Sequence, residues 1–394
     1  LGILLAAAWV ELFSPEEIAA EINQSADFLA TEMRDVPDRH RSIRAVFEST
    51  WNRLSEAEQK IFMRLSVFRG GFRREAAQAI ANADLRTLIG LVNKSLLRRD
   101  PKSGRYEIHE LLRQYAGEHL AAGNMEDEML DAHCTYYTEF LEERLGRMLG
   151  PGQVTALDEI EADFENVRQA WRWAVTHQDY AAIDRASESL FVFSDMRSRE
   201  HEGEELLRTA RERLAPQPGE EPHPVWGRVL LPWYDILLQS KGQPEDVEEI
   251  KSQAKTALAF AQKHDDHLGM AHGLILLAHF ANPGEAIQMH EQALTLSPRL
   301  DDSFWVRIRI GFCYRALGEY QEAIRAFQQS FERGREIGEK EKMGWSLFNL
   351  GETEIFIGDH SNAEGLWRQA NRLFRQVGTS LGVAWTNIDL SLMA

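Results

Sequence analysis

The hydrophobic positions of this chain recur every three to four residues over most of its length, between stretches broken by glycine and proline. That spacing is typical of amphipathic helices, which bury one apolar face and expose the other. It predicts two long helices, Glu126–Gly146 and Val154–His177, followed by a helical hairpin of Ala181–Asp195 and Glu200–Leu214. Four prolines between residues 216 and 224 then predict a linker or bend, because four prolines so close together cannot sit in the interior of a helix.

One part of the chain carries a strand pattern instead. Residues Ser95–Arg99 and Arg105–Ile108 flank a turn that contains Pro101 and Gly104, and together they predict a β-hairpin. Short helices are predicted around it: Ser42–Leu54, Ser55 through Val67, Arg73–Ala81, Asp84–Asn93 and, after the hairpin, His109–Ala121. The second of them opens with a capping box. Short helices closed by a two-stranded wing describe a winged helix, here over residues 38–121.

The last third of the chain repeats itself with a period of 40 residues. The period relates Trp305, Trp345 and Trp385 and several other sets, including Ile310/Leu350/Leu390, Gly311/Gly351, Gly318/Gly358, Ala323/Ala363, Phe327/Trp367 and Gly338/Gly378. Self-similarity at this period predicts a solenoid of stacked helix pairs.

The residue types within the period explain how such pairs would pack. Gly311 and Ala323 would let two helices approach closely, Phe327 would fill the gap between repeats, and Gly318 would end the first helix in a turn. The run from Gly311 to Phe327 resembles the tetratricopeptide pattern. We expect three or four repeats in residues 224–394 and one looser helix pair in 181–214.

Charge and cysteine content narrow the classes of function. The 394 residues include 44 Lys and Arg against 62 Asp and Glu, a formal charge of −18, which disfavours general coating of nucleic acid. Residues 38–121 are the exception, with a net charge of +6. Two cysteines cannot form a disulfide framework, and the longest apolar run, Leu1–Val10, is too short to span a bilayer. We therefore expect a cytoplasmic protein, and the initial Leu suggests a piece of a longer chain.

A motif at the end of the hairpin resembles a known family. The segment Tyr106–Ala116 is similar to the Met-His-Asp motif of the STAND signal-transduction ATPases, with Ile108 and Glu110 in place of Met and Asp. In that family the motif lies in a winged helix after the nucleotide-binding domain, and its histidine touches the ADP β-phosphate in the resting state. The resemblance therefore implies a nucleotide-sensing role for His109 in the intact protein.

Further segments extend the resemblance to most of the chain. Leu65–Phe72 and Leu91–Leu97 resemble the segments that flank the motif in bacterial members, and Leu1–Ile22 resembles the small helical domain that precedes the winged helix. Tetratricopeptide repeats are the usual bacterial sensor of this family. The resemblance implies ADP or ATP with Mg in the intact protein and an upstream nucleotide-binding domain of the same chain as partner.

Candidate binding residues lie on the first helix of each repeat. If Gly311 is the eighth residue of its repeat, the face that usually lines the inner surface of such a solenoid carries Trp305, Ile308, Phe312, Arg315, Trp345, Phe348, Glu352, Phe356 and Trp385. Exposed aromatic side chains on a concave surface are good anchors for a peptide, a protein or a small molecule. The alternative is that each tryptophan only packs between neighbouring helices.

Other kinds of site have little support. The basic wing residues Arg98, Arg99, Lys102 and Arg105 are possible phosphate contacts, although a basic face could equally dock an acidic domain. No His or Cys spacing predicts a metal site, no nucleophile motif is present, and no G-x-x-x-x-G-K-[ST] loop occurs. We therefore predict that this portion is not an enzyme and holds no cofactor by itself, although the intact protein is expected to be an ATPase.

The sequence thus predicts a mainly α protein, a winged-helix domain followed by an α-α superhelix. The expected domains are a helical remnant (1–37), the winged helix (38–121), a helical connector (122–223) and a tetratricopeptide sensor (224–394). The expected function is that an inducer bound by the repeats relieves autoinhibition exerted through the winged helix, with a possible oligomer on activation. Two alternatives stay open: a winged-helix transcription regulator that binds DNA, and a repeat scaffold that does not switch.

Overall fold

A computed structural model describes residues 47–392 of the chain, except for 49, 218 and 242–245. The predicted remnant of residues 1–37 lies outside the described residues. The described part is mainly α-helical, as predicted, with eighteen helices and one two-stranded sheet. None of these described helices combines the length and the apolar character that crossing a membrane requires. The chain divides into two compact units, and both α5 (Glu126–Met148) and α6 (Gln153–His177) contribute residues to each unit.

The first unit holds the described residues up to Tyr137 together with Ala162–Trp173. Its elements, besides parts of α5 and α6, are α1 (Glu56–Leu65), α2 (Arg74–Ala81), α3 (Leu85–Asn93), β1 (Arg98–Arg99), β2 (Tyr106–Glu107) and α4 (Glu110–Ala122).

Local sequence accounts for the boundaries in this unit. Ser55 and Glu58 form the predicted capping box at the start of α1, which satisfies backbone N–H groups that have no partner inside the helix. The two strands pair antiparallel, with Arg99 opposite Tyr106, but each is only two residues long, shorter than predicted. Phe72 extends this pairing through a single bridge to Tyr106. Its ring stacks on the buried Phe68 with centroids 4.2 Å apart, so the hairpin closes over an aromatic core.

The second unit consists of consecutive helix pairs. Its helices are α7 (Tyr180–Met196), α8 (Glu200–Arg213), α9 (Pro224–Lys241), α10 (Val247–Lys263), α11 (His267–Ala278), α12 (Pro283–Leu296), α13 (Leu300–Phe304), α14 (Val306–Ala316), α15 (Tyr320–Ile337), α16 (Lys340–Ile357), α17 (His360–Val377) and α18 (Ser380–Leu392). The predicted proline-rich break separates α8 from α9.

Glycines set the spacing of the last helices. Gly318, Gly338, Gly358 and Gly378 follow one another every 20 residues, and each has a φ between 77° and 93°. Only glycine takes this left-handed conformation without steric cost, so each position ends one helix and starts a turn. Two twenty-residue steps, a helix and its partner, make the 40-residue period seen in the sequence.

Two other glycines allow the paired helices to approach each other. A Cβ atom at Gly311 would lie 2.4 Å from Cε1 of Phe327, and one at Gly351 would lie 2.5 Å from Nε1 of Trp367. Both aromatic side chains are almost fully buried. The predicted close approach of the paired helices at Gly311 is therefore confirmed.

Candidate ligand pocket in the repeat unit

A pocket of about 430 Å³ lies on the first helices of successive pairs in the second unit. Helices α7, α9, α11 and α14 contribute most of its wall. Its apolar side consists of Phe191, Ala278, Trp305, Ile308 and Phe312. The volume is at the lower end of the range for small-molecule sites, so it suits a metabolite-sized compound or a few peptide side chains.

Trp305 reaches the pocket from an unusual backbone position. It joins α13 to α14 with a φ of 49°, a left-handed conformation that bulky residues rarely adopt. Such conformations cost about 1–3 kcal/mol and persist where the surroundings enforce them. Its backbone N–H donates to the carbonyl of Asp301, whose fully buried carboxylate accepts from the Arg307 backbone N–H. The turn that presents the indole is thus fixed by a buried acid.

A buried ion pair forms part of the polar side of the pocket. Oδ2 of Asp235 accepts from Arg309 at 2.7 Å, and Oδ1 lies 3.0 Å from Nε2 of His279. Burial acts to raise the pKa of Asp235, but Arg309 and then His279 outweigh it and hold the pKa below its ordinary value. The carboxylate therefore stays ionised and balances the guanidinium charge of Arg309.

Two further polar side chains line the same pocket. Burial raises the pKa of Asp195 to about 7, although a hydrogen bond from Gln239 acts in the opposite direction. Burial also lowers the pKa of His290 to about 3, so this imidazole is neutral at physiological pH. His290 is 4% exposed and its Nδ1 has no hydrogen-bond partner.

The structure brings the predicted tryptophan positions together. The ring centroids of Trp305 and Trp345 are 6.5 Å apart, Phe348 lies 5.7 Å from Trp345, and Trp385 lies 6.4 Å from Phe348. Trp385 is 50% exposed, whereas Phe348 and Ile308 are buried and belong to the core of the repeats. The aromatic row thus packs at its base and is accessible at Trp385.

The remaining predicted groove residues form a neighbouring patch. The guanidinium of Arg315 lies over the rings of Phe312 and Phe356, at 5.3 and 6.0 Å, and 3.9 Å from the carboxylate of Glu352. Phe356 is 60% exposed and stacks on Tyr320. Their use in ligand binding stays a prediction.

Sequence reasoning found only the apolar part of the pocket, Trp305, Ile308 and Phe312. It missed Asp195, Gln239, His279, His290 and Arg309, which come from α7, α9, the C-terminal end of α11, α12 and α14. One signal was available: Asp235 stands alone in the apolar run from Val229 to Leu238 of α9, and an acid there needs a buried partner. Among the described residues, no group of three or more His, Cys, Asp or Glu side chains could hold a metal ion.

In the first unit, His109 is exposed and caps α4. Its Nδ1 accepts a hydrogen bond from the backbone N–H of Leu111 at 3.3 Å. Close to this helix start, Arg113 donates to the Ser66 carbonyl and to Glu110. Burial and the nearby charge of Arg113 lower the pKa of Arg69 to about 10.

The predicted phosphate contacts of the wing separate into two kinds. Arg98, Arg99 and Lys102 are exposed, as a phosphate contact requires. Arg105 contradicts the prediction, because its guanidinium is buried and bonded bidentately to Asp163 at 2.8 Å to each oxygen. It also donates to the carbonyls of Gly71 and Ala162. These contacts give Arg105 a structural role, because its buried guanidinium is bonded to protein acceptors and does not lie on the surface.

Comparison with known proteins supports the repeat assignment. The tetratricopeptide repeat family matches residues 302–376. Proteins of Mycobacterium tuberculosis and Mycobacterium bovis named as HTH-type transcriptional regulators are 33% identical over 183 residues, which is 44% of this chain and 20% of theirs. Uncharacterized proteins of the same two species are 31% identical over 140 residues, 33% of this chain and 36% of theirs. The matched part of the chain thus spans about a fifth of the length of the regulators.

A solved structure extends the likeness in fold. A STAND protein with a tetratricopeptide repeat sensor from Pyrococcus horikoshii superimposes with a TM-score of 0.53 at 15% identity, over 98% of this chain and 61% of that protein. At this identity the likeness concerns the fold alone. Residues 302–376 are thus tetratricopeptide repeats, within a helical architecture similar to that of the archaeal protein.

Proposed function

We propose that this chain is the regulatory and sensor portion of a STAND-type signalling ATPase. The observation that carries the proposal is the pocket on the first helices of the repeat unit, in a fold similar over nearly its whole length to a STAND protein with a repeat sensor. In the intact protein an inducer would bind the repeats and relieve autoinhibition. Such coupling requires that the inducer bind the resting and active arrangements with different affinity.

In this proposal the first unit is a winged helix, and it senses the nucleotide through His109. Because Nδ1 of His109 accepts the N–H of Leu111, the neutral imidazole carries its proton on Nε2, which can donate to an acceptor such as a phosphate oxygen. The side chain is exposed, so an upstream nucleotide domain has access to it. ADP or ATP with Mg would be bound by that upstream domain, and His109 would report the diphosphate to the winged helix.

Substitution of His109 in the full-length protein tests this role. We expect His109→Ala to raise basal signalling and to weaken ADP binding, because the hydrogen bond to the nucleotide would be lost. His201→Ala is the matched control, since His201 is an exposed histidine on α8 of the repeat unit. Unchanged basal output together with unchanged ADP affinity would refute the sensing role.

A transcription regulator that binds DNA through the winged helix is the second candidate, favoured by the names of the mycobacterial relatives. Helix α3, which precedes the hairpin, exposes the aliphatic side chains Leu85 (45%) and Ile89 (48%). Base edges are read mainly by polar side chains, and apolar contacts reach only the thymine methyl, so this face suits protein contact better. Arg105 moreover forms a buried ion pair with Asp163, which disfavours its use as a phosphate contact. A gel-shift titration decides the point, because true phosphate contacts weaken steeply as salt rises.

The third candidate is a repeat scaffold that does not switch. The effect of a bound ligand on nucleotide exchange by the intact protein distinguishes it from a sensor. A sensor should change its nucleotide exchange rate when a compound stabilises the repeats against heat. A scaffold should gain stability with a partner and leave nucleotide exchange unchanged.

A further inference from the structure

We propose that the pocket of the repeat unit binds an organic cation, a primary or secondary amine that carries an aromatic group. The ammonium group would be held by Asp195 and His290, and the ring would pack against Trp305 and Phe312. This inference deepens the proposed sensor function, on which its biological meaning rests, by naming the chemical class of the inducer.

Asp195 supplies the negative charge that such a ligand needs. Asp195 lines the pocket, and the residue as a whole is partly exposed. The guanidinium of Arg309, which lines the same pocket, is bonded to Asp235 and is therefore balanced. A hydrogen bond from the neutral amide of Gln239 is what holds Asp195. Burial of this carboxyl raises its pKa to about 7, which means that its ionised form lacks sufficient stabilisation. An ammonium group would provide that stabilisation.

The groups around Asp195 add to the negative potential. Glu200, Asp235 and Glu341 act from α8, α9 and α16, and Arg309 from α14 is the opposing cation. Glu341 is itself buried, and burial together with Asp195 raises its pKa to about 8. Asp195 and Glu341 are not fully balanced by the nearby cation Arg309, so the site favours a cationic ligand over an anionic one.

His290 supplies the second polar contact. It is buried in the pocket wall, and its Nδ1 is without a partner. A buried polar atom without a partner costs about 1–3 kcal/mol, and a ligand that bonds to it recovers that cost. Because the imidazole is neutral, Nδ1 can accept a hydrogen bond from the ammonium when the ring proton is on Nε2.

The aromatic side chains fit the rest of the ligand. Trp305 is held in place by its backbone conformation, and Phe312 is 42% exposed at the same pocket. Cations are attracted to aromatic faces, tryptophan most strongly, so Trp305 would contribute to ammonium binding as well as to ring packing. A volume of about 430 Å³ accommodates an arylalkylamine and excludes a folded domain.

Three probes of nearly equal shape test the charge preference on the 394-residue chain. We would measure binding of 2-phenylethylamine, 2-phenylethanol and phenylacetate by isothermal titration calorimetry. The proposal expects the amine to bind about tenfold or more tightly than the alcohol, and phenylacetate to bind most weakly. Equal affinity of amine and alcohol, preference for phenylacetate, or no binding of the amine would each overturn it.

A substitution assigns the interaction to its residue. Asp195→Asn should weaken amine binding by about tenfold and leave alcohol binding unchanged, because it removes charge at nearly constant shape. Glu205→Gln is the matched control, an exposed acid on α8 that does not line the pocket. An amine affinity that changes equally in both variants would contradict the assignment.

The pH dependence of the unmodified chain gives a test that needs no variant. The amine stays protonated below its own pKa near 10, whereas Asp195 must ionise to hold it. Amine affinity should therefore rise between pH 6 and about 8 and then level, while alcohol affinity stays constant. Because Glu341 also titrates in this range, the series is repeated with Glu341→Gln, and loss of the rise in that variant would shift the role from Asp195 to Glu341.

The outcomes separate this inference from the sensor proposal. Failure of the amine to bind removes the assigned ligand class and leaves the effect of His109→Ala on basal signalling untouched. Conversely, an inert His109→Ala variant with amine binding intact would remove the switch and keep the binding site.

Discussion

Replacing Arg105 tests directly whether this arginine fixes the hairpin or contacts nucleic acid. Its side chain is 11% exposed and that of Asp163 is 4% exposed, and two hydrogen bonds of 2.8 Å join them. The variant Arg105→Met keeps much of the apolar stem and removes the charge. Because the pair joins the hairpin to helix α6 within one unit, the loss should loosen the hairpin and not the whole chain.

The expected loss of stability in Arg105→Met depends on the hydrogen bonds that the Asp163 carboxylate keeps. Without Arg105, Asp163 keeps hydrogen bonds from Tyr137 (3.2 Å) and Asn166 (3.3 Å), both neutral donors. Breaking a buried ion pair by removing one partner costs about 3–5 kcal/mol. Since two donors remain, we expect about 3 kcal/mol, the lower end of that range. Lys102→Ala, an exposed charge removed from the same hairpin, should cost less than about 0.5 kcal/mol.

The assay must report on the first unit, because a chain of two units need not unfold in one step. Hydrogen exchange provides this resolution. The N–H of Tyr106 donates to the carbonyl of Phe72 at 2.8 Å, and its protection factor should fall about a hundredfold in Arg105→Met. Amides of the second unit, such as those of α16, should keep their protection.

Two results would refute the reasoning. If Arg105→Met destabilises the hairpin no more than Lys102→Ala, the buried pair contributes nothing. If Arg105→Met lowers DNA affinity more than Lys102→Ala while hairpin protection is unchanged, Arg105 is a phosphate contact after all. The double variant Arg105→Met/Asp163→Asn should recover part of the lost stability, because no charge is then left unpaired.

Two further predictions concern the repeat unit. Gly351→Ala should destabilise the chain by about 1–3 kcal/mol, because its Cβ would lie 2.5 Å from Trp367; Gly365→Ala, which meets nothing within 4 Å, should stabilise by up to about 1 kcal/mol. Urea unfolding followed by circular dichroism compares the two, and equal effects would contradict the close approach. Burial raises the pKa of Glu341 to about 8 from a value near 4.5 in the unfolded chain, so the unfolded state binds fewer protons between these values and the free energy of unfolding falls as pH rises through that window. Glu341→Gln should flatten this fall in melts at pH 5, 6.5 and 8, and an unchanged slope would show that the carboxyl is not the cause.

The repeat pattern shows how far local rules reach. The 40-residue period, the helix end at Gly318 and the close approach at Gly311 were all predicted, because each depends on backbone conformation and near neighbours. The capping box of Ser55 and Glu58 is of the same kind. The strands of the hairpin were predicted too long, because each pairs over only two residues. The prediction also missed the bridge from Tyr106 to Phe72, which lies outside the predicted strands.

The polar residues of the pocket could not be predicted from local sequence patterns. The apolar half of the pocket followed from the repeat register. In contrast, Asp195 is brought to His290 and Arg309 from a helix more than 90 residues earlier in the chain. Their charge states depend on burial and on one another, which no spacing along the chain encodes. Arg105 shows the same in the first unit: Arg98, Arg99 and Lys102 of the same hairpin are exposed. Arg105 is buried because it is bonded to Asp163, 58 residues away. The sequence by itself determined the helices, their ends and their period, because these are set by short-range sterics and hydrogen bonding. Only the tertiary structure decided which polar groups are desolvated together, because long-range packing sets the dielectric surroundings and partners of each charge.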